Sequence, residues 1–140
     1  MELNERFNKQ FVADSDKVFN RQEVEDIIAA ADSWNFDYKK FGIYRAMVAF
    51  SPAETEFKSR PIITMKDNGD TVSCYPCTTK KKPSEGYYEK YPIEDWETVG
   101  LQKPGYINLT SKIDIDKRYI YKKIGKLRSV DIDNLKEIGL

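Results

Sequence analysis

Arg60 and Thr78 are the side chains whose types and positions suggest chemistry. Arg60 precedes Pro61, and a residue before proline is held extended, so its guanidinium would project from the start of a strand. A guanidinium can make paired hydrogen bonds to a phosphate. Thr78 offers a hydroxyl at the end of the next predicted strand, and Thr79 is the alternative if the register is shifted by one. A surface salt bridge and a strand-end cap are the ordinary roles of these residue types, and only their order around a hairpin favours a shared site.

Histidine is absent from all 140 residues, and this absence excludes several classes of mechanism. No His-based triad, His–Cys dyad or imidazole acid–base pair can operate. Phosphodiester transfer on RNA needs none of them, because the substrate's own 2′-hydroxyl can attack the adjacent phosphorus. The protein must then position that hydroxyl, stabilise charge on the phosphoryl oxygens and protonate the leaving 5′-oxygen. DNA lacks the 2′-hydroxyl, so we expect no DNA substrate.

A basic and aromatic segment follows Thr79 and suits single-stranded RNA. Lysines can neutralise phosphates, and tyrosines can stack on bases for about 1–3 kcal/mol each. The candidate RNA-binding residues in this segment are Lys80, Lys81, Lys82, Tyr87 and Tyr88, with Tyr91 further along. An ordinarily solvated loop explains the same residues equally well.

Cys74 and Cys77 are the only cysteines and form a C-x-x-C pair. Positions i and i+3 of a strand point to opposite faces, which is poor geometry for a shared metal. No second pair and no histidine can complete four zinc ligands. We interpret both as buried free thiols and predict neither a metal nor a cofactor.

Residues 1–40 carry the apolar spacing of helices. One stripe consists of Leu3, Phe7 and Phe11. After a predicted break at residues 14–16, Asn20 and Glu23 resemble the capping box of a second helix. We predict a helical extension over residues 1–40, added to a domain over residues 41–140.

From Phe41 the apolar period changes to two, which is typical of strands. Strands are predicted over residues 42–50, 61–66, 71–78, 105–109 and 118–124. The first should bury Tyr44, Ala46, Val48 and Phe50, and Asn68-Gly69 predicts the hairpin between the second and third. A final helix over residues 129–138, with Ser129 as N-cap, should turn Ile132, Leu135 and Ile138 inward. Five short strands and a closing helix favour a small, bent barrel.

The order of these features resembles the MazF/PemK family of toxin ribonucleases. The matching pieces are Gly42-Ile43-Tyr44, Arg60-Pro61-Ile62-Ile63 and Cys77-Thr78. Downstream, residues 95–104 are similar to the Trp-x-x-Ala-Gly-Leu-x-Lys-Pro-Ser segment of some members. The ending Ile124-Gly125-Lys126-Leu127, with Asp131 and Leu135, is also similar to theirs. The resemblance covers roughly residues 41–140.

This resemblance implies a mainly β fold with helices (α+β), an SH3-like barrel of the MazF/PemK/CcdB type. It also implies a homodimer that cuts single-stranded RNA sequence-selectively and without metal, and that a cognate antitoxin neutralises. By carry-over, Arg60 stabilises charge or protonates at the phosphate, and Thr78 or Thr79 assists. The polar loop over residues 51–59, which includes Lys58 and Ser59, would shape the RNA site.

With 40% hydrophobic and 33% charged residues, the chain is typical of one folded domain. No apolar run approaches the ~20 residues of a membrane span, and the N-terminus does not resemble a signal peptide, so we expect a cytoplasmic protein. A non-catalytic module on the same barrel is the alternative function. It would be either a protein-binding toxin of the gyrase-poisoning kind, which would bind its partner through apolar residues 138–140, or a degenerate accessory protein.

Overall fold

The computed structural model describes residues 17–31, 36–49, 53, 55–78, 90–101 and 105–140. The predicted helix through Leu3, Phe7 and Phe11 and the break at residues 14–16 lie outside the described residues, as does Phe50. Within the described ranges, no helix is long and apolar enough to cross a membrane.

The described chain is a mainly antiparallel β structure with two α-helices, which confirms the predicted fold class. Its elements in order are β1 (Val18–Asn20), α1 (Arg21–Ala29), β2 (Gly42–Ala49), β3 (Glu56–Asp67), β4 (Thr71–Thr78), β5 (Lys90–Pro92), β6 (Tyr106–Asn108), β7 (Ile113–Asp116), a 3-10 turn (Lys117–Tyr119), β8 (Ile120–Lys126) and α2 (Ser129–Glu137). The sheet runs β5-β6-β4-β3-β2-β8, with β1 also paired to β3 and β7 to β4. The short strands β1, β5 and β7 escaped the sequence prediction because three or four residues are too few to show a period.

The long strand β3 connects the other strands. It pairs with β2 between Phe57 and Ile63, and with β4 from Ile62 onward. Its first residues, which the sequence suggested were loop, form a strand because β1 pairs with them on the remaining edge. The predicted hairpin to β4 is confirmed, and Gly69 occupies the turn with φ of 101°, a conformation that favours glycine.

β2 is buried on both faces, and not only on the predicted one. Residues 41–47 are all buried. Tyr44 and Ala46 belong to a first hydrophobic cluster with Val24 of α1, whereas Ile43 belongs to a second cluster with Leu135 of α2. The alternation expected for a half-exposed strand therefore does not apply to this central strand.

The described part of the predicted N-terminal extension packs against the sheet. Asn20 accepts a hydrogen bond from the Glu23 amide (2.9 Å), and the Glu23 carboxylate accepts one from the Asn20 amide (3.1 Å), so the predicted capping box is confirmed. Phe19 and Val24, both almost fully buried, join the first cluster. β1 and α1 thus share a core with the sheet.

The C-terminal helix α2 differs in detail from the prediction. Its N-cap is Arg128 and not Ser129, without a side-chain capping hydrogen bond. Leu135 is buried as expected, but Ile138 is 57% exposed because the helix ends at Glu137 and Ile138 lies beyond it. Asp131, in the first turn of this helix, is fully buried and accepts hydrogen bonds from the Tyr91 hydroxyl and two backbone amides.

Candidate active site

The β3–β4 register brings the two predicted catalytic residues together. Ile62 lies opposite Pro76 in this ladder. Continued by two residues, the same antiparallel register sets Arg60 opposite Thr78 on one face, where facing side chains are neighbours. Both are partly exposed. The hairpin alone would set Arg60 opposite Thr79, and a shift of one residue in β3, between Thr64 and Lys66, sets it opposite Thr78 instead.

A small pocket lies where these strands meet β6. It has a volume of about 190 Å³ and is lined by Arg60, Pro76, Cys77, Thr78 and Asn108. Thr78 pairs with Tyr106 and Cys77 with Ile107, so the next step in the register brings Asn108 beside Pro76. The pocket is smaller than the roughly 300–1,000 Å³ of typical small-molecule sites, so its size suits one phosphate or one base better than a cofactor.

The pocket combines a cation with a neutral wall. Within the described residues, no carboxylate forms an ion pair with the Arg60 guanidinium. Burial raises the pKa of the Cys77 thiol to about 12, while the positive charges of Arg45 and Arg60 act in the opposite direction. Cys77 is therefore a neutral thiol at neutral pH. A ligand in the pocket meets the positive charge of Arg60 beside this uncharged thiol.

A buried polar network surrounds Ser59, the residue before Arg60 in β3. The Arg45 Nε donates to the Ser59 hydroxyl (2.8 Å), which also hydrogen-bonds the Tyr121 hydroxyl. Tyr121 reaches across β2 because β8 is bulged there: Arg45 faces Lys122 and Ala46 faces Ile120, which leaves Tyr121 between them. Burial raises the pKa of Tyr121, and the charge of Arg45 and the Ser59 hydrogen bond oppose that rise.

The family model of the PemK-like, MazF-like toxin of type II toxin-antitoxin systems matches residues 39–138. The chain belongs to this family. The structure is also similar to the Mycobacterium tuberculosis toxin MazF-mt6, with a TM-score of 0.54 and 20% identity over 69% of this chain and 89% of that chain. At that identity the likeness bears on the fold alone. No curated protein sequence matches the chain.

The family membership predicted from the sequence is thus confirmed. Its family makes the chain a toxin of the toxin–antitoxin class. The matched region contains Arg60, Thr78 and Asn108, so the pocket lies within the family domain.

The other predicted site residues are placed less uniformly. Lys58, partly exposed, lies two residues before Arg60 on the same face of β3. Ser59 is only 1% exposed, and its hydroxyl is hydrogen-bonded to Arg45 and Tyr121. Its side chain is therefore not at the surface. Tyr91 packs against the second cluster and donates to Asp131 (2.6 Å). The predictions for Thr79, Lys80, Lys81, Lys82, Tyr87 and Tyr88 fall outside the described residues.

Asn108 is a pocket residue that was not predicted from the sequence. It is 30 positions from Thr78 in the chain and meets it only through the β4–β6 pairing. One signal was available, since an asparagine two residues before Thr110 at a strand end is a typical Asx-turn pattern. Among the described residues, no group of three or more Cys, Asp or Glu side chains is arranged to hold a metal ion.

Proposed function

We propose that this toxin is a metal-independent, sequence-selective endoribonuclease that cleaves single-stranded RNA. The observation that carries the proposal is the juxtaposition of Arg60 and Thr78 in a pocket with room for one nucleotide group. The family model supports a toxin, and the absence of histidine from the chain favours a reaction in which the RNA supplies its own nucleophile.

In this mechanism the RNA 2′-hydroxyl loses its proton to water and its oxygen forms a bond to the adjacent phosphorus. The bond from phosphorus to the 5′-oxygen breaks, and that oxygen takes up a proton from water. The products carry a 2′,3′-cyclic phosphate and a 5′-hydroxyl. Arg60 hydrogen-bonds the phosphoryl oxygens and stabilises the charge that grows on them. The Thr78 hydroxyl assists at the same phosphate. We assign this role to Thr78 in preference to Thr79 because Thr78 lines the pocket with Arg60.

The RNA path and the partners form the second part of the proposal. Lys58 lies on the Arg60 face of β3 and would neutralise a neighbouring phosphate. Thr78 is followed closely in the sequence by further basic and aromatic residues that would extend this contact along the RNA: Lys80, Lys81, Lys82, Tyr87 and Tyr88. Homodimerisation, neutralisation by a cognate antitoxin and a cytoplasmic location are proposed from the family.

The test is incubation of the purified protein with mixed-sequence single-stranded RNA in excess chelator. The parent should leave 2′,3′-cyclic phosphate and 5′-hydroxyl ends. Arg60→Ala should lower kcat/KM by about 10²–10³-fold, the usual effect of losing one stabiliser of developing charge. Arg60→Lys should recover only part of the loss, because an ammonium does not form the paired hydrogen bonds.

Arg128→Ala is the matched control, since Arg128 is exposed and makes no side-chain capping bond. Its kcat/KM should equal that of the parent. RNA left intact by the parent across many sequences would refute the proposed function. Cleavage that survives Arg60→Ala would instead show that the reaction occurs elsewhere on the protein.

A protein-binding role is the second candidate, and the exposure of Ile138 favours it. This apolar side chain is 57% exposed and directly follows the last residue of α2. Intact RNA, together with a partner interaction abolished by Ile138→Asp and kept by Arg60→Ala, would favour that role over catalysis.

A further inference from the structure

Asn108 is a polar residue of the pocket with no role in the proposed cleavage mechanism. It ends β6 and lines the pocket with Arg60 and Thr78. Its backbone is held by pairing with Lys90 of β5, and its side chain is partly exposed. An amide at this place can contact whatever Arg60 binds.

The orientation of the Asn108 amide is fixed by its neighbour Thr110. The Thr110 backbone N–H lies 3.3 Å from the Asn108 Oδ1, and the Thr110 hydroxyl donates to the same oxygen at 2.8 Å. A backbone N–H can only donate, so the atom that faces it has to be the carbonyl oxygen of the amide and not its nitrogen. Both bonds therefore engage Oδ1.

The Asn108 Nδ2 is consequently the donor that the side chain has left for a ligand. Within the described part of the chain, Nδ2 has no hydrogen-bond partner. A donor whose orientation is set before binding loses little conformational entropy when a ligand arrives. The carboxamide donates N–H groups and carries no charge. It can therefore bind a second oxygen of the ligand while the Arg60 guanidinium binds the charged one.

We propose that Asn108 is a substrate-contacting residue, whose Nδ2 donates to an oxygen acceptor of the nucleotide bound at Arg60, and that Thr110 is its positioning residue. This inference rests on the proposed function for the identity of the ligand. The acceptor is a phosphoryl oxygen or a base carbonyl oxygen, which present the same chemistry to an amide donor.

The decisive variants are Asn108→Leu, which keeps the approximate shape, and Asn108→Asp, which replaces the donor by a negative charge. Loss of a hydrogen bond to a charged group should lower kcat/KM for RNA roughly 10- to 100-fold in Asn108→Leu. Asn108→Asp should lose more, because the carboxylate repels phosphate. Thr110→Val removes one of the two orienting bonds and should lose activity that Thr110→Ser recovers.

The pattern of cut sites identifies the acceptor. An equal loss at every site in Asn108→Leu assigns a phosphoryl oxygen, and a loss confined to sites with one particular base assigns a base edge. Asn134→Leu is the matched control, since Asn134 donates to Tyr91 and does not line the pocket. Its thermal stability should fall while its cleavage profile stays that of the parent.

Binding separates this inference from the cleavage proposal. Dissociation constants are measured for the same variants with 2′-O-methyl RNA, which lacks the attacking hydroxyl. If the parent binds this RNA but cleaves no RNA, the cleavage proposal fails while weaker binding by Asn108→Leu still supports the contact. Unchanged binding and an unchanged cut profile in both Asn108 variants would overturn the contact, and so would failure of the parent to bind RNA at all.

Discussion

Replacing Asp131 should destabilise the protein far more than replacing another acid of the same helical turn. Asp131 is fully buried, and its Oδ1 accepts from the Tyr91 hydroxyl (2.6 Å) and the Glu94 amide (3.0 Å). Its Oδ2 lies 3.3 Å from the Asp95 amide. These bonds join α2 to β5 and to the segment that follows it, and Asp131→Ala would remove the acceptor for all three donors.

The magnitude follows from the quality of these bonds. A hydrogen bond to a charged group contributes about 1.5–3 kcal/mol net. The two bonds to Oδ1 are well formed, while the Asp95 contact is long, and the loss is offset in part because a carboxylate is costly to bury. We expect the free energy of unfolding to fall by about 2–4 kcal/mol in Asp131→Ala. Asp131→Asn keeps an oxygen at the Oδ1 position and should lose about 1–2 kcal/mol.

Thermal and urea unfolding measure this effect. With an unfolding entropy of about 2.1 cal/mol/K per residue, a 140-residue chain loses roughly 3.4 °C in Tm for each kcal/mol, so Asp131→Ala should melt about 7–14 °C lower. Asp133→Ala is the control, because Asp133 is exposed in the same helix and should change stability by at most about 0.5 kcal/mol. Equal small losses in both variants would refute the buried-acceptor role and leave only an interaction with the helix dipole.

Two further predictions concern buried groups of the sheet. Burial raises the pKa of both Cys74 and Cys77 from 9.0 to about 12, so at pH 8 only about one molecule in 10⁴ carries a given thiolate, and iodoacetamide should label the native protein slowly but the urea-unfolded protein fully. The folded protein keeps these thiols protonated to a higher pH than the unfolded chain does. The contribution of the thiols to the free energy of unfolding is therefore complete below pH 9, and it should fall by about 1.4 kcal/mol per pH unit per cysteine as the pH rises towards 12. Rapid native labelling, or urea stability that does not change over that range, would contradict this. Tyr121→Phe and Ser59→Ala should each lower the free energy of unfolding by about 1–3 kcal/mol, and the double variant by less than the sum, because both hydroxyls belong to one network with Arg45. Strictly additive losses in urea titrations would show that the network is not coupled.

Local patterns in the sequence determined the features that depend on neighbouring residues. Asn68-Gly69 specified the β3–β4 hairpin, because its turn requires a residue at positive φ. Asn20 and Glu23 specified the start of α1, because a capping box joins residues three apart. The hairpin predicted that Arg60 lies close to Thr78 or Thr79, and the register shift in β3, which the sequence did not indicate, selects Thr78.

Tertiary structure decided the features that depend on residues far apart in the chain. Asn108 enters the pocket only through the pairing of β6 with β4, and Ser59 is withdrawn from the surface by Arg45 and Tyr121 on two other strands. Asp131, one acid among several in the sequence, is a buried acceptor because Tyr91 and the following segment fold against α2. A side chain's type and local spacing limit what it can bind, but its burial and its partners are set by long-range packing, which no local period of the sequence contains.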